Sequence, residues 1–188
     1  MNDLSNRGGS AAEPFLSDVK TLREQARQQM EKGPVSKTYK GDVGRTIEIL
    51  QSVLSTELVC WLRYSQHAVV ATGLASDSVR AEFAEHAADE QGHAMQVAER
   101  INQLGGEPDF NPSNLTGRSA SEYETGNDLV TLIKENLVAE RIAVDHYREL
   151  IRFFGENDPT TRVMIEGILA KEEEHASDML DLLQRQGK

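Results

Sequence analysis

Apolar residues recur every three to four positions along most of this 188-residue chain, the spacing of one face of an α-helix. Four long stretches carry the pattern, each with its own punctuation. The first starts at Asp42 as N-cap and stops at Gly73; the second starts near Ser76 or Asp77 and stops at Gly105-Gly106. The third starts near Asn127 or Asp128 and stops at Gly155. The fourth has Asp158 as N-cap with Pro159 at the first helical position, and runs nearly to the end. Each is about 27 to 31 residues, or roughly 40–45 Å at the rise of an α-helix. Ahead of them Phe15, Leu16, Val19, Leu22, Ala26 and Met30 predict a short amphipathic helix, preceded by a small, polar stretch over 1–12 and ended by Gly33-Pro34. Two connections between the long helices are tight, Gly73 to Ser76 and Gly155 to Asp158. The middle one, Gly105 to Gly126, is long and rich in Gly, Pro, Ser and Asn. Short, long, short is the connectivity of an antiparallel four-helix bundle with one crossover. No segment sustains period-two alternation, so the fold class expected is all-α. Residues 1–41 form a tail and short helix, and 42–188 the bundle.

The seams of these helices are apolar at both ends and polar in the middle. In the first the seam runs Ile47, Leu50, Leu54, Glu57, Trp61, Tyr64, Ala68; in the second, Val79, Phe83, His86, Glu90, His93, Val97, Leu104. The third gives Leu129, Ile133, Asn136, Glu140, Ala143, Tyr147, Phe154, and the fourth Ile165, Ile168, Glu172, His175, Met179, Leu182. Glu57, Glu90, Glu140 and Glu172 lie near their helix midpoints, so an antiparallel bundle brings them to one height. Burying four unpaired carboxylates together is prohibitive, each ion losing several kcal/mol of solvation. Two divalent cations would balance their charge, with two neutral imidazoles completing the shells. Glu-x-x-His sets both ligands on one helix face and occurs twice here, as Glu90–His93 and Glu172–His175, each with a lone Glu one helix earlier. A single such motif means little in an acidic helical chain; the matched pair is hard to obtain by chance. Tyr64 and Tyr147 each follow a lone Glu by seven residues, two turns along the same face, where a hydroxyl can reach a ligating carboxylate. The two halves of the bundle read as a duplication.

Charge sharpens this picture. The chain carries 31 acidic and 20 basic side chains, a net −11. Residues 1–45 balance at +2 and the remainder at −13, so the acidity belongs to the bundle. Bulk attraction to DNA or to an anionic membrane is thereby disfavoured. No apolar leader and no run near the roughly 20 residues of a membrane span is present, and a cytoplasmic protein is expected. The single cysteine, Cys60, forms no intrachain disulfide and no CxxC metal pair.

Over roughly residues 43–186 the chain resembles the ferritin-like superfamily, and within it bacterioferritin. The resemblance rests on Glu57, Tyr64, Asp89-Glu90-x-x-His93, Glu140 and Glu172-x-x-His175, with the crossover in the matching place. It implies a di-iron centre: Glu57 and His93 as terminal ligands of one iron, Glu140 and His175 of the other, Glu90 and Glu172 bridging. It also implies oxidation of Fe(II) by peroxide or dioxygen and storage of ferric mineral in a hollow shell. The position of the haem-binding Met of bacterioferritin is Gln91 here, so haem is not expected. Only 13 residues follow His175, too few for the short fifth helix of the 24-subunit shells. A 12-subunit cage of the Dps-like kind with an intrasubunit di-iron site is the expected assembly. Some of those proteins carry a cysteine pair near the site, which Cys60 alone cannot form.

Other residues admit two readings. His86 is an extra iron ligand or a wall of the polar layer, and His67 and His146 are surface or capping residues rather than ligands. Asp89, Glu82 and Glu85 form an acidic track or an ordinary solvated face. Against the ferroxidase cage stand a di-metal redox enzyme of manganese catalase, peroxidase or hydroxylase type, and a metal-free cage that coats DNA through its N-terminal arm.

Overall fold

A computed structural model describes residues 17–73, 76–126 and 128–186. Phe15, Leu16, the polar stretch over 1–12 and Asn127 lie outside them. The chain divides into two units, one up to Thr38 and one from Tyr39 onward. In the first, helix α1 (Val19–Gln28) starts where Asp18 accepts hydrogen bonds from the backbone N–H of Lys20 and Thr21 at 2.9 and 3.1 Å. The periodicity placed Met30 in this helix; instead it opens a 3₁₀ turn, Met30–Lys32, because Gln29 leaves the helical region at φ −130°.

The second unit is built from four long helices, α2 (Val43–Val70), α3 (Ser76–Gln103), α5 (Leu129–Phe154) and α6 (Pro159–Gln186), with a one-turn helix α4 (Leu115–Arg118) in the crossover. No strand occurs among the described residues. Side-chain caps set the starts: Asp42 accepts from Arg45 N–H and Asp128 from Thr131 N–H, both at 3.0 Å. Asp158 does the same for Thr161 N–H, also at 3.0 Å, just before Pro159. Gly105 (φ 85°) and Gly155 (φ 46°) take the left-handed conformation that ends α3 and α5, a region other residues enter only with strain. α2 stops three residues short of Gly73, since Ala71 turns extended (ψ 125°) once its N–H has bonded to His67 O.

Helices α2 and α3 pack as one hairpin and α5 and α6 as another. Cross-helix pairs run in opposite order, Glu57 with Tyr147 and Tyr64 with Glu140, as antiparallel neighbours must. Leu50, Leu54, Val97, Ile101, Phe154, Ile165 and Ile168 fill one end of the interior, and Tyr64, Val79, Phe83, Leu132, Ile133, Met179 and Leu182 the other. Between the two apolar ends lies the polar layer.

The crossover is tied down along one side of α2, which the seam pattern does not foretell. Gln51 Nε2 donates to Glu107 O at 2.7 Å, Ser52 Oγ to Arg118 O at 2.7 Å, and Ala120 N–H to Thr56 Oγ1 at 3.0 Å. Further along, Arg63 Nη1 donates to Glu122 O at 2.8 Å and His67 Nε2 lies 3.1 Å from Glu124 O. The face of α2 opposite the bundle seam is therefore buried too, and His67, expected as a surface or capping residue, is fully enclosed with its ring at a backbone carbonyl.

Candidate metal centre

One carboxylate arrives from the middle of each long helix: Glu57 from α2, Glu90 from α3, Glu140 from α5 and Glu172 from α6, each 1% exposed. His93 and His175 stand one turn beyond the glutamates of α3 and α6, and both are buried. Ligand atoms of Glu57, Glu90, His93 and Glu172 lie within 4.8 Å of one another, and so do those of Glu90, Glu140, Glu172 and His175. The two groups share Glu90 and Glu172.

The oxygens of the shared pair are divided between the halves. Glu90 places Oε2 3.6 Å from His93 Nδ1 and Oε1 3.5 Å from His175 Nδ1. Glu172 places Oε1 3.0 Å from His93 Nδ1 and Oε2 3.6 Å from His175 Nδ1. Glu57 and Glu140 behave differently, turning one oxygen inward and the other to a tyrosine. Glu57 Oε2 is 3.3 Å from His93 Nδ1 while Oε1 accepts from Tyr147. Glu140 Oε2 is 4.0 Å from His175 Nδ1 while Oε1 accepts from Tyr64. Each tyrosine thus serves the lone glutamate of the opposite hairpin, not the one seven residues before it. Burial, and then the carboxylate beside each phenol, push both tyrosines well above their ordinary pKa, which keeps them protonated donors.

His175 Nε2 lies 3.2 Å from Asp89 Oδ2, an atom that can only accept. A hydrogen therefore sits on Nε2, and Nδ1 is turned inward as the ring's one potential ligand atom, its lone pair freed when its own proton leaves. Asp89 fixes this ring from α3, a role the linear sequence does not reveal because the contact is between helices. His86, buried beside it, stacks on His175 with ring centres 3.9 Å apart and planes 19° off parallel. Burial, with the charge of His175 added, holds the His86 imidazole down to about 3, so it is neutral. Arg63, 1% exposed, was missed by the sequence reading, which carries no signal for it; its Nε bonds Asn136 Oδ1 at 3.0 Å and its guanidinium lies 5.9 Å from the centre of the Tyr64 ring. His146 is half-buried with its ring against Tyr147, away from the six converging side chains.

Glu57 Oε2, Glu90 Oε1, His93 Nδ1, Glu172 Oε1 and His175 Nδ1 are all buried without a hydrogen-bond partner. Folded proteins leave few such atoms orphaned, and seldom side by side. Here five face one another. Protons alone relieve the crowding poorly. Burial and the charge of Glu90 push Glu57 up to about 8, and burial with Glu172 and Glu90 lifts Glu140 far above the carboxylate range. Burial opposes charge on His175, but Glu172 and Glu90 outweigh it and carry the imidazolium up to about 11. His93 is raised for the same reason by Glu172, Glu57 and Glu90. Glu172, with the imidazoles of His175 and His93 close to its two oxygens, alone moves down despite its burial. Four carboxylates and two imidazoles at this spacing fit a pair of divalent transition-metal ions, which take such a mixed donor set.

An all-α bundle with a long crossover and a tetra-carboxylate, bis-histidine centre defines a ferritin-like protein. The profile of the ferritin-like domain matches residues 47–186, and the chain belongs to that family. Among solved structures it is similar to the bacterioferritin-related protein of Bacteroides fragilis, described as a dodecameric thioferritin. The two are 32% identical, over 89% of this chain and 95% of that one, with a TM-score of 0.76. It is also similar to the ferritin-like, diiron-carboxylate proteins of Bacillus anthracis, 25% identical over 75% of this chain and 96% of that chain, with a TM-score of 0.66. A relative named nutrient stress-induced DNA-binding protein, from Synechococcus, is 29% identical over 69% of this chain and 75% of its own length.

Proposed function

We propose that this protein is a ferroxidase of the iron-storing kind: it binds two Fe(II) in the bundle centre, oxidises them with peroxide or dioxygen, and holds the ferric product in an oligomeric cage. The observation that carries the proposal is the division of oxygens, with Glu90 and Glu172 each facing both halves and Glu57 and Glu140 each facing one. Glu57 and His93 would hold one iron, Glu140 and His175 the other, and Glu90 and Glu172 would bridge them. An iron pair bound there supplies two electrons to the oxidant, one from each ion. The chain's own part is preorganisation. Tyr147 and Tyr64 anchor the outer oxygens of the terminal glutamates, Asp89 aims the His175 lone pair, and the apolar layers at either end exclude bulk water. Absence of a Met at Gln91 leaves no reason to include haem.

A dodecameric cage is the assembly proposed, by similarity to the Bacteroides fragilis protein, whose length the chain almost fully covers. None of the described helices is long and apolar enough to cross a membrane, and we place the protein in the cytoplasm. DNA binding, in the name of the Synechococcus relative, finds less support in a chain of net charge −11. The ferroxidase reading is tested by following the ferric absorbance after Fe(II) addition to Glu90→Gln and His175→Ala. Each is expected to lose at least about two orders of magnitude in rate, the upper range for groups on which a metal depends. Unchanged rates in both variants would refute the site.

A further inference from the structure

We propose a third divalent-cation site at the mouth of the bundle, formed by Glu82, His86 and Asp178, in which one ion such as Fe(II) docks next to the buried pair. The ligand atoms of these three residues lie within 4.8 Å of one another. His86 is what makes this more than surface acidity. Its side chain is 3% exposed, and Nδ1 lies 3.2 Å from Tyr64 Oη. The Tyr64 hydrogen is already given to Glu140, so the phenol oxygen accepts and the proton on His86 belongs to Nδ1. Nε2 is then a bare lone pair. It points at Glu82 Oε1 and Asp178 Oδ2, 3.6 Å from each and outside hydrogen-bond reach of both. A lone pair aimed between two carboxylates is repulsive unless a cation lies among them, and one nitrogen with two oxygens is a donor set that transition-metal dications accept.

The position suits a docking ion. Glu82 and Asp178 are about a third exposed, with side-chain exposures of 33% and 40%, while His86 is enclosed, so the triad spans from solvent to interior. Glu82, Asp178, Asp181, Leu182 and Arg185 line a shallow surface depression there. On its inner side the His86 ring lies flat on His175, and a nitrogen of His86 comes within 4.8 Å of ligand atoms of Glu140 and His175. A cation leaving the triad inward thus meets the Glu140–His175 half of the centre first. The docking role rests on the ferroxidase reading; the binding site itself does not.

The test is equilibrium binding of Co(II) to the metal-free full-length protein, counted per chain, for wild type and for the double variant Glu82→Gln/Asp178→Asn. Both substitutions are isosteric and partly exposed, leaving the core intact. Loss of one Co(II) per chain in the variant, with the remaining ions retained, is the expected result. Equal Co(II) counts in the two proteins would overturn the proposal. A parallel variant, Glu57→Gln/Glu140→Gln, separates the two readings: if its Co(II) count equals that of wild type while the mouth variant loses one, the bundle-centre reading fails and the mouth site stands. Anomalous scattering from Co(II)-soaked wild-type crystals gives an independent readout, with a peak beside His86 Nε2 expected and its absence contradicting the site.

Discussion

At the level of single residues, the proposed centre is braced by groups outside its six candidate ligands. Tyr147 and Tyr64 each restrain a glutamate from the opposite hairpin. Tyr147→Phe removes one hydroxyl, leaves the ring and the packing, and frees Glu57 to rotate. Stopped-flow iron oxidation should slow by about 10-fold to 100-fold, the range for lost support of a metal ligand. A rate equal to wild type would show that the hydroxyl plays no part. Protonation gives a second prediction. Glu57, ordinarily at 4.5, rises to about 8, and His175, ordinarily at 6.5, rises to about 11. The folded metal-free protein therefore holds protons that the unfolded chain releases, and these two groups stabilise most at low pH. That contribution fades from about pH 4.5 to 8 for Glu57 and from about 6.5 to 11 for His175. The melting temperature of metal-free protein should fall between about pH 6 and 8, and metal binding near pH 7 should release protons, seen as a buffer-dependent heat in calorimetry. A flat melting temperature with no proton release would contradict the crowding described here. The convergence of the six side chains was readable in the sequence because seam position fixes which way a mid-helix residue points. Asp89 and Arg63 were not readable, since each acts through a contact on a different helix or on the crossover.

At the level of helices, boundaries were legible wherever the signal is local. Asp42, Asp128 and Asp158 cap their own helices, and Gly155 stops α5 through its own backbone. The crossover was not, because Gln51, Ser52, Thr56 and Arg63 bind it through its backbone groups, which no side-chain pattern announces. Asp158 shows how one residue joins several elements. It caps α6, receives Arg100 Nη2 from α3 at 2.9 Å in a buried ion pair, and accepts from Tyr39 Oη at 2.8 Å. Although burial alone would raise its carboxyl, the Thr161, Tyr39 and Arg100 donors together bring it below the usual value. Asp158→Ala leaves Arg100 buried without its partner and should cost about 3–5 kcal/mol in urea unfolding. A loss under about 1 kcal/mol would mean that water replaces the carboxylate.

At the level of the whole molecule, fold stability and site chemistry oppose each other. Four carboxylates at mid-height weaken the metal-free bundle, and the ions that relieve them tie all four helices together. Divalent metal at about 100 times its dissociation constant should add about 2.7 kcal/mol to stability, and chelation should remove it. The net charge of −11 takes its meaning from this arrangement, since part of the acidity is buried as candidate ligand and part lines the approach to it. The central claim is that two metal ions lie between Glu57, Glu90, His93, Glu140, Glu172 and His175. Iron-edge anomalous diffraction from crystals loaded with Fe(II) without oxygen tests it most directly. Two adjacent peaks, one beside Glu57 and His93 and one beside Glu140 and His175, are predicted; density elsewhere, or none in the bundle centre, would contradict it.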